Sequence, residues 1–433
     1  MTNGVKMKLS KLTLACLLAT SGVSISSTVN AEITQEFEFG GYVRAGLFYS
    51  AENDFKSING GGQKETLGRL GLEFDDDASL SVGSVWSFDN GNEIRVSAGI
   101  DDDASLGYSL EMKGITPTGT LWGGGTGYGK DNYIFMTDFF YTDMSGTGIG
   151  IKGYEAGDFL IDVAYIASNR DDDDYDLDDT SFANNENLDN YMHTFNMAVT
   201  YNSWEVSLSG KAMVDNWDED GTEFAETGAD ITVIYTLDDF FWTGSGQGTI
   251  IAQAGRGLGS GNLLGGTIND YNAYAPGSQF QGEHADWAAW HPAAGKATRL
   301  ISYVDEKDTS ARLLVWGGYN FDNGISIFPS LQAQYNDHYE NDFGSYDYWA
   351  SAMARAYFPV NDVMFVQSEV GFVYNNWNGT SSNQKKVTIA PTFIMGTGTV
   401  TPEIRLFASY IDNAWTVDEG SDIIIGTQIE VNW

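Results

Sequence analysis

Apolar and polar residues alternate along most of the chain. In the stretch 37–49, apolar side chains such as Phe39 and Val43 occupy odd positions, whereas Tyr42 and Arg44 occupy even positions. Successive side chains of a β-strand point to opposite faces of the sheet, so a period of two separates one face from the other. The stretch therefore predicts a strand with one apolar face and one polar face, and it places Tyr42 and Arg44 together on the polar face.

Further alternating segments are separated by connections of two kinds. Tight turns are predicted at Asp89–Asn92 and Asp322–Gly324, because Asp, Asn and Gly favour short hairpin turns. Other connections are long and polar. Short turns at one end and long loops at the other are typical of bacterial outer-membrane barrels. The same alternation is found in segments 80–88, 93–100, 364–374 and 425–433.

The predicted fold is an all-β transmembrane barrel of antiparallel strands. A soluble β-sandwich also alternates, but a chain of 433 residues with 51 glycines and 7 prolines is very long for one sandwich. Closing the sheet removes its exposed edges, and within lipid a closed barrel satisfies the backbone hydrogen bonds of its strands. At about 22 residues per strand and connection, the 402 residues 32–433 hold about 18 strands, and at about 25 they hold about 16. A barrel of either size encloses an aqueous lumen.

The segment 121–146 combines a glycine-rich stretch with an aromatic and acidic stretch. An ordinary strand and turn would explain it locally, because residues 133–141 are rich in residues that favour strands. In a wide barrel, however, a loop that follows an early strand and folds inward narrows the lumen and sets its selectivity. We therefore predict that this segment forms an inward-folded constriction loop. We expect the short turns on the periplasmic side and the long loops on the extracellular side.

The N-terminus predicts a secretory signal peptide that spans residues 1–31. Three lysines precede an apolar run at 12–19, and small residues lead to a cleavage site after Ala31. Translation starts at Met1 or at Met7. The barrel domain is then residues 32–433, which hold no apolar run of the roughly 18 residues that a membrane-spanning helix needs.

Composition excludes several classes of function. The lone cysteine, Cys16, lies in the predicted signal peptide, so neither disulfides nor thiolate chemistry contribute to the mature chain. The chain carries 22 Lys and Arg against 60 Asp and Glu, a formal net charge of −38, which disfavours nucleic acid as a partner. The acidic run Asp171–Asp179 fits a solvated loop, and binding of divalent ions there stays an open alternative.

Four groups of residues resemble the maltoporin family of sugar-specific porins. The resemblance implies an 18-stranded barrel that assembles as a homotrimer in the outer membrane of a Gram-negative bacterium, surrounded by lipid and lipopolysaccharide, with saccharides as its solutes. It also implies a row of aromatic side chains, the aromatic slide, that packs on the apolar faces of sugar rings. A row of charged residues, the polar track, is implied to hydrogen-bond the sugar hydroxyls. The groups are Phe39–Gly46, Thr120–Trp122 with Asp138–Gly146, Pro402–Tyr410 and Gly426–Trp433.

The resemblance also implies roles for individual residues. Phe140 falls where the family has a tyrosine in the constriction, so stacking is retained and a hydroxyl is lost. Asp77, Ile250 and Asn432 fall where the family has further slide aromatics, so we expect a preference for short saccharides. Sugar stacking is assigned to Tyr42, Phe140 and Trp349, and the polar track to Arg44, Arg69 and Asp138.

Two rival functions remain at this point. A general diffusion porin without a sugar site would filter by size and charge, and so acidic a chain would prefer cations. A hydrolase would need a nucleophile beside a histidine, but no nucleophile motif accompanies His193, His284, His291 or His338. The sequence therefore predicts a channel and not an enzyme, and it indicates neither a cofactor nor a resident metal.

Overall fold

The computed structural model describes most of the chain after the predicted signal peptide. Residues 1–31 and the acidic run Asp171–Asp179 lie outside the described residues, so the predictions made for them stay predictions. The described residues are 33–58, 64–74, 76–101, 106–129, 132–169, 191–213, 225–267, 305–337, 346–377, 380–395, 400–412, 414 and 420–433.

The described residues form a closed antiparallel barrel of 18 long strands, as predicted. Each long strand pairs with the next along the chain, and the first pairs with the last over nine residues, from Tyr42 with Asn432 to Ser50 with Ile424. Numbered in chain order, the barrel strands are β1 (Ile33–Ser50), β3 (Asp77–Phe88), β4 (Glu93–Asp101), β5 (Leu106–Lys113), β6 (Thr120–Tyr128), β9 (Met144–Ala156), β10 (Phe159–Asn169), β11 (Tyr191–Tyr201), β12 (Trp204–Met213), β13 (Thr227–Leu237), β14 (Gln247–Gly257), β15 (Thr309–Asn320), β16 (Ser326–Asp337), β17 (Tyr346–Asn361), β18 (Met364–Trp377), β19 (Thr380–Ile394), β20 (Glu403–Asp412) and β21 (Asp422–Asn432).

Five short elements complete the regular structure of the described residues. They are the two-residue strands β2 (Lys56–Ser57), β7 (Tyr133–Ile134) and β8 (Phe139–Phe140), the single-turn helix α1 (Lys64–Leu67) and a 3-10 helix at Gly261–Leu263. No helix in the described parts of the chain has the length and apolarity needed to cross a membrane.

The longest connections of the barrel lie at one end. The predicted tight turns lie where expected, between β3 and β4 and between β15 and β16, and both belong to the same end. Gly324 has a φ of 83° in the second of these turns, a conformation that glycine adopts without the steric cost of a Cβ. The long connections 51–76, 129–143 and 258–308 leave from the opposite end. Short turns on the periplasmic side and long loops outside are the usual arrangement of such barrels.

Alternation along the strands sorts side chains between the outside and the inside of the barrel. On β1, Val43 and Leu47 point outward and are exposed, whereas Arg44 between them points inward and is only 4% exposed. On β16, Leu331 points outward and its neighbour Gln332 is buried inside. The outer face is therefore apolar and the inner face largely polar, the reverse of a soluble protein and the arrangement that lipid requires.

The interior is partly filled because three segments of the long connections fold inward. We refer to residues 64–74 as the first inward segment, to residues 129–143 as the constriction loop and to residues 258–267 as the third inward segment. Sequence analysis predicted one inward-folded loop, over 121–146. The structure confirms the inward fold for the constriction loop, but it places 121–128 in β6 and 144–146 in β9, where they pair with each other in the barrel wall.

The first inward segment packs against the strands on either side of the barrel closure. Leu67, Leu70 and Leu72 are buried against apolar side chains that these strands point inward, and the ring of Phe74 meets Phe48 edge-on at 4.9 Å. The turn of α1 approaches β18 so closely that a Cβ on Gly371 would overlap the carbonyl of Leu67. A glycine is thus required where the segment meets the wall. The other members of this cluster are Val373, Ala390, Phe407, Ile411, Ala414 and Ile424.

A buried group of charges holds the same segment. The carboxylate of Glu369 accepts hydrogen bonds from Arg355 at 2.6 Å, from Lys386 at 2.6 Å and from the backbone N–H of Leu70 at 3.1 Å. Lys386 also donates to the carbonyls of Gly68 and Leu70. The wall of β17–β19 therefore supplies charged partners to the backbone of the first inward segment.

The third inward segment closes the opposite side of the interior. Leu258 and Leu263 pack with Met192 and Met213, which β11 and β12 point inward. Lys211 donates to the carbonyl of Leu263. The segment thus lies against the wall of the barrel.

Candidate channel constriction

One side of the constriction loop packs against the barrel wall. Ile134 and Met136 are fully buried, and Phe139 and Tyr141 nearly so, against the inward-facing side chains of β13–β17. Asp138 lies on the hairpin between these pairs with a φ of 57°, in the left-handed region that few non-glycine residues occupy. Strain of this kind persists where the surrounding structure enforces it, often at functional sites.

A network of charged and phenolic groups joins strands β1 and β21 to the first inward segment. Tyr42 donates its hydroxyl to Glu430 at 3.0 Å, and Arg44 donates to the Tyr42 hydroxyl and to Glu73, each at 3.0 Å. Arg69 pairs with Glu73 at 2.8 Å and with Glu430 at 3.2 Å. Tyr42, Arg44 and Arg69 were predicted from the sequence as site residues. The carboxylates that bind them, those of Glu73 and Glu430, were not predicted.

Arg69 and Lys64 join the first inward segment to the constriction loop. The backbone N–H of Arg69 donates to the carbonyl of Met136 at 2.9 Å, and its guanidinium donates to the carbonyl of Phe135 at 3.4 Å. The ammonium of Lys64 pairs with Asp138 at 3.1 Å. Asp138 therefore lies on the same side of the loop as Arg69, but the ion pair that the structure gives it is with Lys64.

The two remaining stacking candidates lie in different surroundings. Phe140 is half-buried and stacks on Tyr133, with ring centroids 5.2 Å apart. Trp349 points inward from β17 but is only 1% exposed, because the constriction loop covers it and the edge of Phe139 meets its ring. The structure thus brings Tyr42, Arg44, Arg69, Asp138 and Phe140 to the constriction, and it leaves Trp349 behind the loop. A stacking role for Trp349 stays a prediction.

Several residues of the site escaped the sequence analysis. Glu430 could have been found, because closure of the barrel pairs Arg44 with Glu430 across β1 and β21 and with Asp77 across β3. Lys64 and Glu73 belong to a loop whose sequence carries no signal that it folds inward. Ile250, one of the positions without a slide aromatic, lies on the outward side of β14 beside the fully buried Ile251.

Glu65 provides a titratable group at the constriction. Burial raises the pKa of Glu65, Lys64 and Arg312 oppose this rise, and Asp138 adds to it, so that the resulting pKa is about 7. As pH rises through about 7, Glu65 loses its proton and adds a negative charge to the constriction. We expect the preference for cations over anions to increase between about pH 6 and 8.

Reversal potentials in a salt gradient, recorded across this pH range, measure the effect. Glu65→Gln should flatten the profile, whereas Glu52→Gln, at an exposed position of the same connection, should preserve it. A profile that Glu65→Gln leaves unchanged would assign the pH dependence to another group.

The described residues contain no group of three or more His, Cys, Asp or Glu side chains arranged to hold a metal ion.

A closed barrel with an apolar outer face, a polar interior and an inward-folded loop defines a channel of the outer-membrane porin class. Residues 37–433 match the model of the LamB porin family, and the chain belongs to that family. Similar relatives are a maltoporin of Hahella chejuensis, 27% identical over 96% of both chains, and Maltoporin 1 of Klebsiella pneumoniae subsp. pneumoniae, 25% identical over 93% of this chain and 92% of the relative. Maltoporin 2 of Yersinia pestis is 26% identical over 99% of this chain and all of the relative.

Proposed function

We propose that the chain forms an outer-membrane channel for the facilitated diffusion of saccharides, and that the solute binds weakly at the constriction. The observation that carries this proposal is the convergence of Tyr42, Arg69 and Asp138 with partly exposed aromatic rings inside one lumen. Membership of the LamB porin family and the name maltoporin borne by the relatives support a sugar as the solute.

The chemistry of the site suits a sugar. A pyranose ring has a C–H face that packs on aromatic rings and a rim of hydroxyls that charged groups can hydrogen-bond. Ion pairs hold Arg69 against Glu73 and Glu430, so the guanidinium of Arg69, which is 15% exposed, is already oriented when the solute arrives. Each contact must be weak, since a solute that binds tightly does not leave. Passage of this kind needs neither a catalytic residue nor a cofactor, and we propose neither.

The surroundings of the channel follow from the same proposal. We propose a homotrimer in a membrane of lipid and lipopolysaccharide, as the resemblance to the maltoporin family implies. The outward side chains Val43 and Leu47 suit contact with lipid tails or with a neighbouring subunit. The acidic loops fit the aqueous side.

Asp138 provides the test of this function. We expect Asp138→Asn to weaken block of the channel current by maltose and maltotriose by about 2- to 12-fold, because a charged hydrogen-bond acceptor is lost. Cation preference should fall in the same variant. Lys64→Met, which removes the partner of Asp138 but keeps the acid, should raise cation preference instead.

Single-channel currents in planar bilayers measure both effects. Wild-type current that no saccharide blocks would favour the general cation-preferring porin over a sugar channel. Block that is equal in the wild type and in Asp138→Asn would place Asp138 away from the solute.

A further inference from the structure

The constriction loop presents one aromatic surface to the lumen. Its hairpin pairs Tyr133 of β7 directly with Phe140 of β8. Their neighbours Ile134 and Phe139 form the other cross-strand pair, and both are buried against the wall. Because the hairpin lies inside the barrel with one side on the wall, its opposite side faces the lumen. Tyr133 is 37% exposed on that side.

The two rings form an offset stack, which we call the platform. Their centroids are 5.2 Å apart and their planes are only 24° from parallel, which is too close for rings that lie side by side, so Phe140 supports one face of the Tyr133 ring. By contrast, Phe139 meets Trp349 edge-on, with 67° between the ring planes, and these two rings are 4% and 1% exposed. A sugar needs a ring face that solvent reaches, which the buried pair does not offer. The pair of Tyr133 and Phe140 combines nearly parallel rings with exposure.

Polar groups lie at both ends of this platform. On one side the hairpin carries Asp138, paired with Lys64 at 3.1 Å. On the other side Asn132 precedes Tyr133 and lies beside the inward-pointing carboxylate of Glu205 on β12. A ring that stacks on the platform would therefore have hydrogen-bonding groups near its rim, the combination that a sugar requires.

We infer that the ring of Tyr133, supported from behind by Phe140, is a stacking platform for a pyranose ring, and that Tyr133 is a specificity-determining residue of the constriction. This inference rests on the proposed function and names one subsite within it. The platform provides stacking on the constriction loop itself, in a chain that carries Asp77 and Asn432 on the opposite wall at positions where slide aromatics were expected. Tyr133 acts through its ring face, so its hydroxyl is not required.

The test is saccharide block of single channels in variants of Tyr133. We expect Tyr133→Leu to weaken block by maltose and maltotriose by about 2- to 12-fold, the contribution of one aromatic contact. Tyr133→Phe keeps the ring and should retain wild-type affinity. Tyr410→Leu removes a tyrosine of similar exposure from the outward face of β20 and should also leave block unchanged.

A second measurement separates stacking from hydrogen bonding. Sorbitol offers hydroxyls without a ring face, so the ratio of maltose to sorbitol affinity should fall in Tyr133→Leu and stay constant in Tyr133→Phe. The double variant Tyr133→Leu with Phe140→Leu should lose less affinity than the two single variants predict together, because each single change already breaks the platform.

The outcomes are distinct. Wild-type channels that no saccharide blocks would overturn the proposed function and this inference together. Block that Tyr133→Leu leaves unchanged, or that Tyr133→Phe weakens as much as Tyr133→Leu, would overturn the platform and leave the sugar channel standing. Heat-modifiable migration of each variant in detergent gels confirms that its barrel has folded.

Discussion

Replacing Glu369 with glutamine is expected to lower the free energy of unfolding by about 3–5 kcal/mol and to release the first inward segment. Glu369 is fully buried between Arg355 and Lys386. Glutamine keeps the size of the side chain but leaves two cations inside the protein without this shared carboxylate. An uncompensated buried charge is among the most destabilising changes in a protein. The backbone N–H of Leu70 would also lose a charged acceptor.

Urea unfolding in detergent measures the loss of stability, and single-channel conductance measures the position of the segment. Asp412→Asn is the matched control, because it breaks an ion pair with Lys385 at 3.2 Å whose side chains are 57% and 34% exposed. An exposed pair of this kind contributes only about 0–1 kcal/mol. Equal effects of the two substitutions would show that burial of Glu369 has no energetic consequence.

The variant Gly371→Val tests in a second way whether the first inward segment narrows the lumen. A side chain at this position overlaps the carbonyl of Leu67 and displaces α1 without altering any charge. If the first inward segment narrows the lumen, conductance should rise in Gly371→Val and in Glu369→Gln alike. Conductance that stays at the wild-type value in both variants would mean that the segment lies away from the ion path.

The affinity for malto-oligosaccharides is expected to stop rising beyond two or three glucose units. Asp77 and Asn432 flank Arg44 and Tyr42 on neighbouring strands, where the resemblance led us to expect aromatic rings. Ile250, the third such position, faces outward. If each aromatic contact contributes about 0.5–1.5 kcal/mol, the two missing contacts at Asp77 and Asn432 would weaken binding of a long glucan by about 5- to 150-fold. The stacking surface at the constriction spans too few rings to replace them.

Titration of channel block with glucans of one to seven units measures this dependence. The control is Asp77→Trp, which introduces an aromatic ring beside Arg44 and should extend the rise in affinity to longer chains. A wild-type affinity that climbs steadily through five or six units would show that a complete slide exists and that the positions of Asp77, Ile250 and Asn432 do not correspond to slide residues.

The features that sequence analysis predicted depend on local pattern. Alternation fixed the inward direction of Tyr42 and Arg44, and turn residues located the short connections. Chain length left a choice between 16 and 18 strands, which the hydrogen-bonded pairing resolves in favour of 18. The glycine and aromatic content of 121–146 indicated the constriction loop because that stretch is unusual in composition.

The features that were missed depend on contacts between distant parts of the chain. Leu67, Leu70 and Leu72 look like scattered apolar residues of a polar loop, and only the inward side chains of β18–β21 explain their burial. Trp349 occupies a position that alternation predicts to face the lumen. Its side chain is nevertheless buried, because a loop about two hundred residues earlier in the chain covers it. No local rule reports which segment will cover a given stretch of wall.

The proposed solute site forms only when β1 pairs with β21 and closes the barrel. Tyr42 donates to Glu430, a residue 388 positions away, and Arg44 and Glu430 are partners across the final pair of strands to meet. Until the ends of the chain join, the two halves of this network belong to separate edges of an open sheet. Contacts between such distant residues form slowly, since the intervening chain must be ordered first. The proposed solute site is thus assembled where the first strand pairs with the last. A solute that binds there reports that the barrel is closed.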